Sequence, residues 1–244
     1  MVSARAMINR AEHWIGYREG AGNANRFSAE VGRPAESWCA DFVSAVARES
    51  GNAAYFPDTA SCAVGRDWFR RHGRLSVYPA VGAQVFFGAD GNPWGPGGEH
   101  TGVVTAYTAT TITVVAGNTN ADGSPQGDGV YRRTYRRRSD YVESYGYPAY
   151  PEGLVCADPA WRGRPGITYF GQQADIRDLP GTPSRTTDLP APARPADAQA
   201  AEATTTADGP PAQPTPPTAE PGTTDLPATD LPGPRRDTSP DHTA

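Results

Sequence analysis

The stretch Ser37-Trp38-Cys39-Ala40-Asp41-Phe42-Val43-Ser44-Ala45-Val46-Ala47-Arg48-Glu49-Ser50-Gly51 decides how this chain is read. Phe42, Val43 and Val46 recur at helical spacing, and Gly51 supplies a stop. The pattern places Cys39 in the first turn of a helix, where backbone N–H groups lack intrahelical partners and the helix dipole is positive. Both features favour thiolate, the nucleophilic form of cysteine, and the same N–H groups suit a developing oxyanion. A lone cysteine is more often a buried structural residue, so a catalytic reading requires a base.

The chain has four histidines. His13 belongs to the N-terminal helix, His72 closes an Arg-rich helix end beside Arg70 and Arg71, and His242 lies close to the chain end. His100 differs. It follows the loop Gly95-Pro96-Gly97-Gly98-Glu99 and opens Thr101-Gly102-Val103-Val104-Thr105-Ala106-Tyr107, which reads as a strand. A second β-branched run, Thr111-Ile112-Thr113-Val114-Val115-Ala116, follows a short turn. With that turn centred near Ala109, His100 pairs with Asn118, and directly opposed residues share a face of the sheet. An Asn oxygen beside an imidazole can fix its tautomer and orientation, the third role in a Cys-His-Asn constellation. Gly117-Asn118-Thr119-Asn120 is also turn chemistry; with Cys39 and His100 in place, the orienting role is favoured.

At this point the sequence resembles a known family. Trp38-Cys39-Ala40-Asp41-Phe42-Val43, Val81-Gly82-Ala83-Gln84-Val85-Phe86-Phe87, His100-Thr101-Gly102-Val103-Val104 and Ala116-Gly117-Asn118-Thr119 are similar to the successive blocks of a CHAP domain. Ile15-Gly16-Tyr17 with Glu19, Ala60-Ser61-Cys62 with Trp68-Phe69, and Tyr145-Gly146-Tyr147-Pro148-Ala149-Tyr150 echo it further. The family comprises cysteine- and histidine-dependent amidohydrolases and peptidases that cleave peptidoglycan. The resemblance implies an α+β, papain-like fold. N-terminal helices bearing the nucleophile would pack on an antiparallel sheet bearing the base. It implies Cys39, His100 and Asn118 as catalytic residues; Trp38 reads as a border of the substrate cleft, with core packing as the alternative. Two positions depart from the pattern: Ala83 stands where the family often has Asp, and Ala116 where it often has Glu. Cys62, at a helix start of its own, competes with Cys39 as the reactive thiol but lacks an evident base, and a Cys62–Cys156 bridge is left open. Gly20 to Glu36 has no carboxylate cluster of the kind that holds calcium, so neither metal nor cofactor is expected.

Composition sets the boundaries. From Asp178 onward the chain holds 15 of its 25 prolines and no aromatic residue, and Asp-Leu-Pro recurs at Asp178, Asp188, Asp225 and Asp230. Such a segment cannot bury enough apolar surface to offset its ordering entropy. The expected organisation is a catalytic domain over residues 1–150, an extension or stub over 151–177, and a disordered tail over 178–244. Residues 1–177 carry 18 Arg and 17 acids, and the tail 4 Arg and 10 acids. A near-neutral domain with an acidic tail argues against nucleic-acid binding. The one basic strip, Tyr131-Arg132-Arg133-Thr134-Tyr135-Arg136-Arg137-Arg138, reads as a charged edge strand that resists mispairing.

Met1 to Ile15 reads as an amphipathic helix with Met7, Ala11, Trp14 and Ile15 on one face. It lacks the apolar core of a signal peptide, and no run approaches membrane-spanning length. All 22 basic residues are Arg, a composition that suggests a high-GC genome, read here as an actinobacterium or its phage. The expectation is a monomeric peptidoglycan hydrolase, made in the cytoplasm and acting on the wall after release or non-classical export, as a phage endolysin does. The alternative is a non-catalytic, peptidoglycan-binding or virion-associated module of the same fold.

Overall fold

The computed structural model describes residues 2–88, 98–121 and 126–181. The tail beyond residue 181, and Gly95-Pro96-Gly97 of the loop before His100, lie outside the described residues. The fold is α+β.

Helix α1 (Ala4–His13) starts at Ser3, whose side chain accepts the Ala6 N–H at 3.0 Å, a cap worth about 1 kcal/mol. It buries Met7, Ile8 and Ala11. Ile15, expected on that face, lies past the helix end and is 40 % exposed. The short α2 (Arg26–Ala29) leads to α3 (Cys39–Glu49), in which every residue from Cys39 to Ala47 is buried. A helix buried on all sides must be covered on all sides. For α3 the cover comes from α1, α2 and the sheet, and an aromatic cluster fills its N-terminal end. There Phe27 stacks on Trp38 at 5.3 Å and meets Phe42 edge-on at 5.3 Å. Helix α4 (Cys62–Arg71) starts at Ser61, which caps the Val64 N–H, and ends at His72, whose ring lies over Trp68.

The strands are β1 (Leu75–Ser76), β2 (Gln84–Phe87), β3 (His100–Tyr107), β4 (Thr111–Thr119), β5 (Gly129–Arg136) and β6 (Val142–Gly146). They form one antiparallel sheet in the order β1-β6-β2-β3-β4-β5. A short β9 (Ala174–Asp175) adds to β3, while β7 (Leu154–Cys156) and β8 (Ile167–Tyr169) make a parallel pair. Residues 154–179 therefore pack on the same unit. Trp161 lies under Tyr147 at 5.0 Å, and Leu179 is buried.

The two sheet faces carry different loads. Phe86 packs on Phe69 of α4, and a Cβ on Gly117 would come within 2.4 Å of Trp38 and 2.7 Å of Phe42. Position 117 thus has no room for a side chain, because β4 lies directly against α3. On the opposite face Phe87 meets Tyr135 at 4.7 Å and Tyr141 at 5.0 Å. The basic strip forms β5 at the sheet edge, with Arg132, Thr134 and Arg136 exposed. The strand stops at Arg136. Arg137 turns inward to 5 % exposure, donates to the Thr108 carbonyl at 3.1 Å and lies over the rings of Tyr78 and Tyr107.

Candidate active site

Cys39 is the first residue of α3, and Trp38 before it provides no side-chain cap. The first-turn N–H groups of α3 therefore keep their donor capacity beside the thiol. The β3–β4 ladder pairs Val103 with Val115 and Val104 with Val114. The ladder between these strands ends at Val103–Val115; His100 itself pairs with Phe87 of β2, and β4 is irregular between Ala116 and Thr119, around Asn118. A Cβ on Gly102 would sit 2.9 Å from that of Ala116, so residues 102 and 116 also face each other. Residue 116 thus shares a face with His100, because side chains alternate along both strands. Nearer the turn the register slips by a bulge between Val104 and Ala106.

The thiol of Cys39 is buried and held well below the usual cysteine range. The causes are a hydrogen bond from the Cys62 thiol, then the imidazole of His100 and the Thr101 backbone N–H, which together outweigh burial. Cys62, first residue of α4, lies 3.5 Å away sulfur to sulfur. Its own thiol is pushed well up by that contact with Cys39 and by burial, with the negative charge of Glu143 adding to the effect. The two shifts run in opposite directions, so the pair favours ionisation at Cys39 over Cys62. All three cysteines are free. The Cys62–Cys156 bridge is not formed; Cys156 sits on β7, bridged to Ala80.

His100 is fully buried, and its imidazole interacts with the Cys39 thiol. The imidazole lies beside Cys39 and against Phe87 at 5.7 Å, yet no hydrogen bond joins it to Asn118. The Asn118 amide nitrogen instead donates to Gln126 at 3.4 Å. Gln126 also accepts from Ser37 at 2.9 Å and donates to Asn23 at 3.3 Å. Asn118 adopts a left-handed backbone, φ 53°, which Asn tolerates better than most residues. Asn118 lies buried within β4, at the strand's irregularity.

Trp38 corrects an expectation. It is 0 % exposed, sandwiched among Phe27, Tyr17 and Phe42, and its indole N–H donates to Glu19. It anchors the start of α3 and does not border a cleft. An indole preceding an N-terminal cysteine gains more from stacking on Phe27 than from exposure.

Sequence reasoning missed a buried ion pair. Arg66, one turn after Cys62 on α4, reaches Glu143 of β6 at 2.6 Å, with the Glu143 side chain 0 % exposed. Gly88 makes room for it, since a Cβ there would fall 1.8 Å from a Glu143 oxygen. The Cys62-x-x-x-Arg66 spacing puts both residues on one helix face, the one local signal available. Nothing local points to Glu143.

The structure thus brings a cysteine at a helix N-terminus beside a histidine at the start of an antiparallel strand. Residues 29–118 match the family model of the CHAP domain, a span that runs from the end of α2 through Cys39 and His100 to Asn118. The chain carries a CHAP domain over that span, the domain of cysteine- and histidine-dependent amidohydrolases and peptidases acting on peptidoglycan. No curated protein and no solved structure shows a significant match to this chain. Among the described residues no helix is long and apolar enough to cross a membrane.

Proposed function

We propose that this protein hydrolyses an amide bond of peptidoglycan by a thiol mechanism, as the endolysin of an actinobacteriophage or a wall hydrolase of an actinobacterium. The observation that carries the reading is the placement of Cys39 at an uncapped helix N-terminus with His100 beside it, which holds its thiol below the usual cysteine range. Cys39 attacks the amide carbonyl, and its own backbone N–H donates to the oxyanion. His100 protonates the leaving amine, then activates the water that releases the acyl group. Asn118 is the orienting residue. In the free enzyme its amide is turned to Gln126, so the His100 contact forms with substrate in place; catalytic hydrogen bonds often tighten at that stage.

Mass spectrometry of digested actinobacterial walls tests this reading. A new lactyl-linked carboxylate marks cleavage at the muramoyl–alanine amide, and a new amine within the stem or cross-bridge marks an endopeptidase. Thiol alkylation should abolish both, and EDTA neither. Walls left intact by the fully reduced protein would favour the second reading, a peptidoglycan-binding module. The Ala at 116 is what speaks for that reading.

A further inference from the structure

Cys39 and Cys62 each open a helix, and the two helices are aimed so that the sulfurs touch at 3.5 Å inside the protein. Hydrolysis by Cys39 and His100 does not require a second thiol there. A disulfide has an S–S distance of about 2.05 Å, so the sulfurs need close only about 1.5 Å to bond. We propose that Cys62 is the resolving thiol of Cys39, and that a hydroperoxide converts the pair into a Cys39–Cys62 disulfide that closes the site until a thiol reductant reopens it.

The chemistry balances in two steps. The Cys39 thiolate attacks the peroxide, its sulfur gains one oxygen as sulfenic acid, and the O–O bond breaks to leave an alkoxide or hydroxide that takes up a proton. The Cys62 sulfur then attacks the sulfenic sulfur. The S–S bond forms, the S–O bond breaks, and the departing hydroxide leaves as water with the proton from Cys62. Two thiols lose two electrons and the peroxide gains them. The polarity of the pair suits this order. The thiolate reacts first, and once it is a neutral sulfenic acid the charge that held the proton on Cys62 is gone. Both thiols are buried, at 2 % and 6 % exposure, which favours a small oxidant over a protein disulfide. Gly98 shows how tightly the site is built around Cys62. A Cβ there would lie 3.0 Å from the Ala63 nitrogen and 3.2 Å from the Cys62 Cβ.

That the disulfide inactivates rests on Cys39 being the nucleophile; that it forms does not. The test exposes the reduced full chain to graded hydrogen peroxide, alkylates residual thiols and digests with trypsin, which cuts at Arg48 between the two cysteines. The expected result is a linked pair of peptides carrying Cys39 and Cys62 while Cys156 is still alkylated. Wall lysis should fall at least about tenfold in step with the link and return with dithiothreitol. In Cys62→Ser, sustained peroxide should drive Cys39 to sulfinic acid, and dithiothreitol should then recover nothing. Cys39 found as sulfinic or sulfonic acid in the parent, with no linked peptide, would overturn the proposal, as would a link from Cys39 to Cys156. If the link forms in a chain that lyses no wall even when reduced, the disulfide stands and the hydrolase reading falls.

Discussion

The N-termini of α3 and α4 present the same local feature twice and use it differently. Each helix begins with a cysteine, and the two sulfurs are in contact. The α3 end has no side-chain cap, and its cysteine faces the imidazole of His100 and the N–H of Thr101. The α4 end is capped by Ser61, and its cysteine feels the buried carboxylate of Glu143. A helix dipole alone therefore does not set a thiol's behaviour: the two dipoles are alike, and the Cys62 hydrogen bond, His100 and Thr101 lower one thiol while Cys39 and Glu143 raise the other.

The largest expected effect is on catalysis. Cys39→Ala should reduce wall lysis to background, a loss on the order of 10⁴-fold or more, and His100→Ala should cost nearly as much, since members of a nucleophile–base unit fail together. Thermal unfolding of Cys39→Ala should stay within a few degrees of the parent. If Cys39→Ala still clears walls and Cys62→Ala does not, the assignment of roles between the two helix ends is reversed.

Next comes the separation of the two thiols by pH. A thiol whose value is lowered remains thiolate as pH falls and loses reactivity only on passing below that lowered value; one whose value is raised stays protonated until pH exceeds it. Iodoacetamide mapping at neutral pH should therefore label Cys39 more than about tenfold faster than Cys62, at tenfold per unit of separation. Parallel labelling curves for the two would break the comparison.

Glu143→Gln should sharpen it. Removing the carboxylate leaves Arg66 charged and buried without its partner, at a cost of about 3 kcal/mol, readable as a lower denaturant midpoint. The same change removes the charge that opposes ionisation of Cys62, so its alkylation should speed up while that of Cys39 does not. Ser61→Ala carries the smallest effect, a loss of about 1 kcal/mol from the α4 cap with lysis retained. A loss of several kcal/mol there would mean that Ser61 supports the site and not only the helix end.

Much of this was legible along the chain. The start of α3 at Cys39, the start of α4 at Cys62 and the β3–β4 hairpin follow from periodicity and turn chemistry, which are short-range properties. The pairing of Val103 with Val115 and Val104 with Val114 agrees with a turn centred near Ala109, because few registers bury both β-branched runs. The bulge beyond Val104, the inward turn of Arg137 and the end of α1 before Ile15 were not legible. Each depends on what the segment packs against.

The sequence by itself determined that a cysteine opens a helix, that a histidine opens a strand, and that β3 and β4 pair as a hairpin about a turn near Ala109. These rest on dihedral preferences and side-chain alternation, which act over a few residues. Only the tertiary structure decided that Cys62 touches Cys39, that Trp38 is core, that Glu143 meets Arg66, and that Asn118 turns its amide to Gln126. Those contacts join residues between 8 and 77 positions apart. No local pattern specifies which distant surfaces meet; that is set by how two helices and a curled sheet exclude water together.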